Sequence, residues 1–377
     1  MDDEKQIKVA FLFGSLNRGG METMLLDVFK ARKTSPFSYI GIHRKGGSLE
    51  KAFRSCGVPL FRLCPRFPFD PFYLLRLRKT VRKEGVAVVH AQQCLDALYA
   101  KIALAGTGIK VCQTFHGYDM GYSAWQKWIV KQSMRMSDGN IFVSESQKQY
   151  YQNHYRKFAA VPEFVVYNGM DFSKLDNYST VKTESEVKSK VFRFGMVGNF
   201  VKGRNPLFIC KALRQMKESG CSFDFYFVGR RDTSEPWRYD ECVAFCEKND
   251  LNDRVHFLGP RDDVPSLLRS WDAFVYASDH DTFGIAILEA IASGSPVIVN
   301  DWEVMKEVTK NGTFAILYET GNEADLLKKV KFFMENERMY KQEAKKKAIE
   351  VRTLYSIEEH LQNLKTVYDI ISNKHGS

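Results

Sequence analysis

Two carboxylates eight residues apart, Asp281 and Glu289 in the run SDHDTFGIAILEA, have the type and spacing to hold a hydroxylated ligand. An ionised carboxylate only accepts hydrogen bonds, and it accepts strongly from hydroxyl groups. The run AFVYAS reads as a strand, a polar loop follows, and Phe283-Gly284 opens a helix. Asp281 then sits just ahead of that helix and Glu289 about two turns along it, so the pair can address two different hydroxyls of one ligand. The free amides of the helix start add an anion site beside them.

A second turn supplies positive charge. In Gly198-Asn-Phe-Val-Lys202-Gly203-Arg204, two cations stand two residues apart at the exit of a strand. A guanidinium fork and a lysine point charge both suit a diphosphate. An earlier turn, Gly14-Ser-Leu-Asn-Arg-Gly19-Gly20, has the spacing of a phosphate-binding loop but has glycine where such a loop needs lysine. His116 ends the strand-like run KVCQTFH, where ligand-facing residues of open α/β sheets lie, and Asp119 three residues on could orient an incoming hydroxyl. The triplet Asp279-His-Asp281 spells a metal-binding pattern, but cations and helix amides can neutralise a diphosphate without a divalent ion, so no metal is expected. Cys242 and Cys246 would share a helix face, yet no partner pair stands at zinc-site spacing.

These residues need a scaffold that brings strand ends together. From Ile7 to Asn168, short β-rich runs (IKVAFLFG, SYIGIH, VAVVH, KVCQTFH, GNIFVS, EFVVYN) alternate with helix-length stretches, the signature of βαβ units and a parallel sheet. The segment DFSKLDNYSTVKTESEVKSK then loses apolar periodicity and reads as a linker. Alternation restarts with VFRFGMVG, SFDFYFVG, RVHFLG, AFVYAS, PVIVN and TFAILY, and Ser356 with Glu359 caps a last amphipathic helix. The expected division is 1–172, a linker at 173–190, a second α/β domain at 191–355, and a helix at 356–377 that packs back toward the first domain. A chain of 377 residues exceeds one core's usual size, in line with two domains.

Composition sets outer bounds. Apolar residues at 44% and charged residues at 27% describe an ordinary globule, and the polar start leads to the expectation of a cytoplasmic protein. The net charge of +10 suits a polyanionic partner. Its densest basic stretch, Arg62 to Lys83, interleaves Arg and Lys with Phe, Tyr and Leu, a pattern shared by membrane-surface helices and by surface helices that bury their aromatic face.

Taken in order along almost the whole chain, these features resemble the retaining GT-B glycosyltransferases of family 4. The resemblance is carried by Gly19-Gly20-Met-Glu22, Thr114-Phe-His116-Gly, Val143-Ser144, Tyr167-Asn168-Gly169-Met-Asp171, the Lys202/Arg204 turn, Phe257-Leu-Gly259, and Asp281 through Glu289. It implies two Rossmann-like domains facing a central cleft, an N-terminal acceptor domain and a C-terminal nucleotide-sugar domain. By the same resemblance, the candidate catalytic residues are His116, Asp281, Arg204 and Lys202. Donor contacts fall on Gly19, Gly20, Gly198, Asn199, Gly259, Arg261, Thr282, Phe283, Gly284, Ile285 and Glu289, with Glu289 on the ribose, the Gly259-Pro-Arg261 loop near the base and His116 near the reacting carbon. One departure stands out, since the family's first glutamate is aspartate here, Asp281.

The implied reaction moves a hexose or N-acetylhexosamine from a UDP-sugar, with GDP-mannose as the second donor choice, to a glycan or lipid-linked saccharide, as in bacterial surface polysaccharide synthesis. No cofactor beyond the donor and no nucleic acid is expected, and peripheral contact with an anionic membrane on its inner face stays open beside the reading of the basic stretch as an ordinary surface helix. Two other readings stay open at this level: a nucleotide-sugar epimerase or hydrolase on the same scaffold, and a non-catalytic nucleotide-sugar-binding subunit.

Overall fold

The computed structural model describes residues 6–17, 19–155, 161–176 and 191–373. Two compact units divide the chain, Met1–Asp171 with Tyr355–Ser377 as unit 1 and Phe172–Leu354 as unit 2.

Unit 1 holds a seven-stranded sheet of β1 (Lys8–Phe13), β2 (Ser38–His43), β3 (Leu60–Arg62), β4 (Val88–Ala91), β5 (Lys110–Phe115), β6 (Gly139–Phe142) and β7 (Glu163–Val165) in the order β3-β2-β1-β4-β5-β6-β7. Each neighbouring pair is parallel. Helices α1 (Gly20–Lys30), α2 (Glu50–Ser55), α3 (Pro71–Lys83), α4 (Cys94–Ala103), α5 (Ala124–Met136) and α6 (Glu145–Tyr155) make the crossovers. The apolar run of β1 serves both faces: Val9, Phe11 and Phe13 join one core cluster and Ala10 and Leu12 the other, as the two-residue repeat of a strand covered on both sides requires. The last helix of the chain, Ile357–Asn373, puts Leu361, Leu364, Val367, Tyr368 and Ile371 into the first cluster. His360 ties it to the Tyr167 carbonyl at 2.7 Å.

Unit 2 has six parallel strands, β8 (Phe192–Val197), β9 (Phe223–Val228), β10 (Val255–Phe257), β11 (Ala273–Tyr276), β12 (Val297–Asn300) and β13 (Ile316–Tyr318), ordered β10-β9-β8-β11-β12-β13. Its helices are α7 (Pro206–Glu218), α8 (Trp237–Lys248), α9 (Val264–Ser270), α10 (Ile285–Ala292), α11 (Glu303–Val308), α12 (Glu323–Glu335) and α13 (Glu337–Leu354), so that the C-terminal helix of unit 1 is α14. Capping is legible in the sequence: the Asn205 side chain accepts from the Phe208 amide at 3.2 Å ahead of Pro206, and Asp70 caps α3 ahead of Pro71 in the same way. Of the stretch 173–190, residues 173–175 belong to a 3-10 turn, Phe172–Leu175, while 177–190 lie outside the described residues. Among the described residues, no helix is long and apolar enough to cross a membrane.

In both sheets the strand order reverses once, between β1 and β4 and between β8 and β11. Loops leaving neighbouring strands there run to opposite faces and open a crevice at the carboxyl ends, where open α/β sheets bind ligands.

Candidate functional site

The crevice of unit 2 is bounded by the two turns that carry the candidate residues. Residues 198–204 leave β8 and residues 277–284 leave β11. Ser278, buried to 2%, locks them together: its hydroxyl donates to the Gly203 carbonyl at 2.8 Å and accepts the Asp281 amide at 3.2 Å, while the Asp279 amide donates to the same carbonyl at 2.9 Å. Asn300, at the end of β12, grips Ser278 from behind, accepting its amide at 3.0 Å and donating to its carbonyl at 2.7 Å. The approach is close enough to require glycine at 203, where φ is +91° and an added Cβ would fall 2.3 Å from the His280 Cβ.

The Arg204 guanidinium lies across Gly198, where an added Cβ would stand 3.0 Å from its Cδ. Its Nε donates to the Tyr276 hydroxyl at 3.0 Å and its Nη1 to the Asn199 carbonyl at 3.3 Å. That hydroxyl in turn donates to Asp281 Oδ2 at 2.6 Å. Arg204 and Asp281 are thus linked through one buried phenol. The neighbouring phenol, and after it Asp281, hold Arg204 more firmly cationic than usual despite its burial.

Asn199 is engaged otherwise, its side chain accepting the Arg230 amide at 3.0 Å. Lys202 is exposed, with its backbone amide fixed by Glu235 at 2.9 Å.

Helix α10 begins where the sequence places it. Gly284 takes the left-handed conformation at φ 79° and supplies no side-chain cap, and Thr282, Phe283 and Ile285 flank it. Along the helix, Glu289 pairs through Oε1 with Lys174 Nζ at 3.1 Å. Gly259 has φ +66° and accepts the Gly229 amide at 3.0 Å, and Arg261 beyond it forms a two-bond pair with Asp263 at 2.8 and 2.7 Å. Asp279 and Asp281 turn to different partners, His280 at 2.8 Å and Tyr276. Among the described residues, no group of three or more His, Cys, Asp or Glu is placed to hold a metal ion. Cys242 and Cys246 are both buried in α8.

In unit 1, His116 follows β5, and its Nε2 meets Gln92 Oε1 at 2.8 Å. With a carbonyl oxygen as acceptor, Nε2 carries the hydrogen. Three buried histidines also lie in this unit: His43, whose Nδ1 meets the Lys45 carbonyl at 3.0 Å, His90, between the Tyr368 and Thr114 hydroxyls at 2.7 Å each, and His360. Desolvation favours the uncharged imidazole in all four, lowering His116 to about 3, His360 to about 4, His90 well below the ordinary value and His43 below it.

Asp119, expected as a hydroxyl acceptor for a ligand, already accepts from Tyr150 at 2.7 Å and from Tyr155, one phenol on each oxygen. Gly19 is the N-cap of α1 and Gly20 its first residue, while Arg18 of that turn lies outside the described residues. The chain's own Glu22 packs over the turn, its Oε2 2.6 Å from where a Gly19 Cβ would sit, and burial raises its pKa.

Sequence reasoning missed Tyr276, Lys174, Ser278 and Asn300 as parts of this site. Tyr276 had a visible signal, as a polar-tipped residue ending an otherwise apolar strand, and Lys174 had none, lying in a stretch that read as linker.

Two doubly wound parallel sheets in one chain, each with glycine turns at its point of reversal, define the GT-B class. The glycosyltransferase family 4 model matches residues 18–174 and the glycosyl transferases group 1 model residues 179–350. The chain belongs to the family 4-type GT-B glycosyltransferases and is a transferase enzyme.

A UDP-Gal:alpha-D-GlcNAc-diphosphoundecaprenol alpha-1,3-galactosyltransferase of Escherichia coli is 24% identical, over 83% of this chain and 84% of that one. An N,N'-diacetylbacillosaminyl-diphospho-undecaprenol alpha-1,3-N-acetylgalactosaminyltransferase of Campylobacter jejuni is 26% identical, over 71% and 72%. Among solved structures, a Rickettsia africae glycosyltransferase superposes with TM-score 0.84 at 21% identity, covering 97% of this chain and 99% of that one. Anabaena HepE in complex with UDP-glucose superposes with TM-score 0.79 at 18% identity, covering 97% and 100%.

Proposed function

We propose that the protein transfers a hexose or N-acetylhexosamine from a UDP-sugar, with retention at the anomeric carbon, to a lipid-linked saccharide in bacterial surface polysaccharide synthesis. The observation that carries this reading is the Arg204–Tyr276–Asp281 chain at the strand-order reversal of unit 2, which sets a cation for a diphosphate beside a carboxylate for a sugar hydroxyl. Glu289 takes the ribose hydroxyls and the Gly259–Arg261 loop lies toward the base. The Escherichia coli and Campylobacter jejuni relatives support the acceptor class, since both are named for diphosphoundecaprenol-linked acceptors, and the HepE complex supports UDP over GDP.

In the proposed step the bond from the anomeric carbon to the diphosphate oxygen breaks and the acceptor oxygen bonds to that carbon from the same face. The acceptor's proton passes to the departing phosphate. Arg204, Lys202 and the α10 amides meet the charge that develops on the diphosphate, which is electrostatic catalysis without a metal ion. His116, half-buried and kept neutral by desolvation, is assigned to the transferred sugar, where an imidazole can exchange hydrogen bonds without adding a charge.

A lipid-linked acceptor gives α3 a role. Its outward face carries Phe72, Leu75, Arg76, Lys79, Arg82 and Lys83, all exposed, while Tyr73, Leu77 and Val81 are buried beneath. Apolar side chains among cations suit peripheral contact with the anionic inner face of a bacterial membrane.

The deciding experiment offers a panel of nucleotide sugars without acceptor and follows slow donor hydrolysis, with the anomer of the released sugar read by NMR. Hydrolysis of one UDP-sugar with retention is expected. Conversion of GDP-mannose alone would overturn the UDP assignment, and a uridine diphosphate soak that placed the ligand away from Arg204 and Glu289 would overturn the site.

A further inference from the structure

We infer that Tyr276 is the positioning residue that allows an aspartate to work at position 281, by coupling it through one phenolic oxygen to Arg204. The inference rests on the donor site proposed above and deepens it, adding a residue that links recognition of the diphosphate to recognition of the sugar.

The strand fixes the ring. Tyr276 closes β11, whose four residues are all buried, and is itself only 1% exposed. Its ring stacks near Phe274, two residues back on the same face of the strand, with centroids 5.8 Å apart, and its carbonyl accepts the Tyr318 hydroxyl at 2.9 Å. A phenol held in this way places its oxygen at the carboxyl end of the strand, beneath both loops.

Donor and acceptor inventory then sets a direction. A guanidinium only donates, so Arg204 Nε consumes a lone pair of the phenol and cannot take its proton. The phenol has one proton to give, and it goes to Asp281 Oδ2 at 2.6 Å, within the range of a charge-assisted O–H···O⁻ bond. Burial disfavours the phenolate, which keeps that proton in place. Among the described residues, Arg204 Nη2 and Asp281 Oδ1 have no hydrogen-bond partner, so each charged group keeps an edge for a ligand.

The resemblance to family 4 implies glutamate at 281. Aspartate carries its carboxylate on a stem one methylene shorter, from a loop whose backbone Ser278 already holds. Without the phenol, that carboxylate would turn about its own side-chain bonds. With it, Asp281 is aimed and placed in register with Arg204, whose guanidinium is also anchored independently on the Asn199 carbonyl at 3.3 Å. A ligand that fills both edges, a nucleoside diphosphate sugar, meets a pair already in register, whereas uridine diphosphate alone uses only the Arg204 half.

The test is Tyr276→Phe, which removes the hydroxyl and keeps the ring, combined with Asp281→Ala in a double-mutant cycle on the full chain. Turnover is followed with the UDP-sugar that the wild type consumes, and uridine diphosphate binding by calorimetry. Tyr276→Phe is expected to lower kcat about 10- to 100-fold with KM changed less than about 3-fold, to bind uridine diphosphate within about 3-fold of wild type, and to cost less than about 3-fold further in the Asp281→Ala background. The inference is overturned if the two losses multiply, if Tyr276→Phe turns over like the wild type, or if it loses uridine diphosphate binding together with turnover, which would mark the phenol as structural. A wild type that neither binds nor converts any nucleotide sugar would overturn the donor-site reading and this inference with it, while an active wild type with a multiplicative cycle overturns the inference alone.

Discussion

Lys174 Nζ stands 3.1 Å from Glu289 Oε1, an ion pair between a 3-10 turn and the middle of α10 within unit 2. Both side chains are partly covered, at 33% and 20% exposure, so the pair orients the carboxylate more than it stabilises the unit. If Glu289 accepts from ribose hydroxyls, Glu289→Ala should weaken uridine diphosphate binding by about 10- to 100-fold, the scale of a charged hydrogen bond. Lys174→Ala should weaken it only a few-fold, through loss of orientation. Calorimetry on both variants checks this, and wild-type affinity in Glu289→Ala would remove Glu289 from the ribose.

Four histidines of unit 1 make its stability depend on pH. His116 and His360 have folded values of about 3 and 4, His90 lies well below the ordinary value near 6.5, and His43 is lowered by its burial as well. A depressed histidine binds its proton in the unfolded chain first, so stability is complete above about pH 6.5 and declines as pH falls from there toward the folded values. Each such proton contributes up to about 1.4 kcal/mol per pH unit, and four together up to about 5.5. Melting of the wild type should fall steeply between pH 6 and pH 4.5. A melting temperature that stays level across that interval would show that these imidazoles are hydrated or charged in the folded protein.

Gly203 is where the two turns of the proposed donor site touch. Its φ of +91° and the 2.3 Å approach to His280 leave no room for a methyl group, and its carbonyl takes two hydrogen bonds from the opposite loop. Gly203→Ala should therefore destabilise unit 2 by about 1–3 kcal/mol and displace the loop that carries Asp281. The expected signature is a lower melting temperature together with weaker uridine diphosphate binding. Normal binding in a normally stable variant would show that the loops can part without cost to the site.

Much of this was legible from pattern alone. The β1 and β11 strands announce themselves because both of their faces are buried and the apolar run is therefore continuous, and Asn205-Pro206 announces α7 by cap and fixed φ. The short edge strand Leu60–Arg62 escaped, since three residues leading into a basic stretch carry no alternation to read. The candidate residues of the donor site were visible as charged types at strand exits. Their wiring was not, because which atom of Arg204 meets which oxygen depends on a tyrosine 72 residues away that looks like one more core aromatic. Asp119 shows what spacing does not reveal: a carboxylate near a strand end invites a ligand role, and two phenols from α6 each donate to one of its oxygens.

The α3 surface predicts salt-sensitive membrane binding. Exposed Phe72 at 63% and Leu75 at 62% each stand about one turn from a cation, Arg76 and Lys79 respectively, four residues on. Each basic side chain near an anionic surface contributes about 1 kcal/mol, so replacing Lys79 and Arg82 with alanine should weaken binding roughly 30-fold. Flotation with anionic vesicles at low salt should recover the wild type and leave the variant behind, and high salt should release both. Equal recovery from neutral and anionic vesicles at every salt concentration would reduce the patch to ordinary surface.

The departure at position 281 yields the sharpest expectation. Restoring the glutamate that the family resemblance implies would ordinarily be expected to help an enzyme, but here Tyr276 occupies the space behind the carboxylate and is spaced for the shorter side chain. A glutamate must either overshoot the phenol, leaving its proton without a buried acceptor, or fold back and withdraw from the ligand. An unsatisfied buried hydroxyl costs about 1–3 kcal/mol, which corresponds to roughly 5- to 150-fold in rate where the lost bond orients a reacting group. Asp281→Glu should therefore lower turnover in the wild-type background, and less so when Tyr276 is also phenylalanine, because the orphaned hydroxyl is then gone. Steady-state turnover of the single and double variants with the UDP-sugar the wild type consumes separates the cases. An Asp281→Glu variant as fast as wild type would mean that the loop adapts to either length and that the aspartate is incidental.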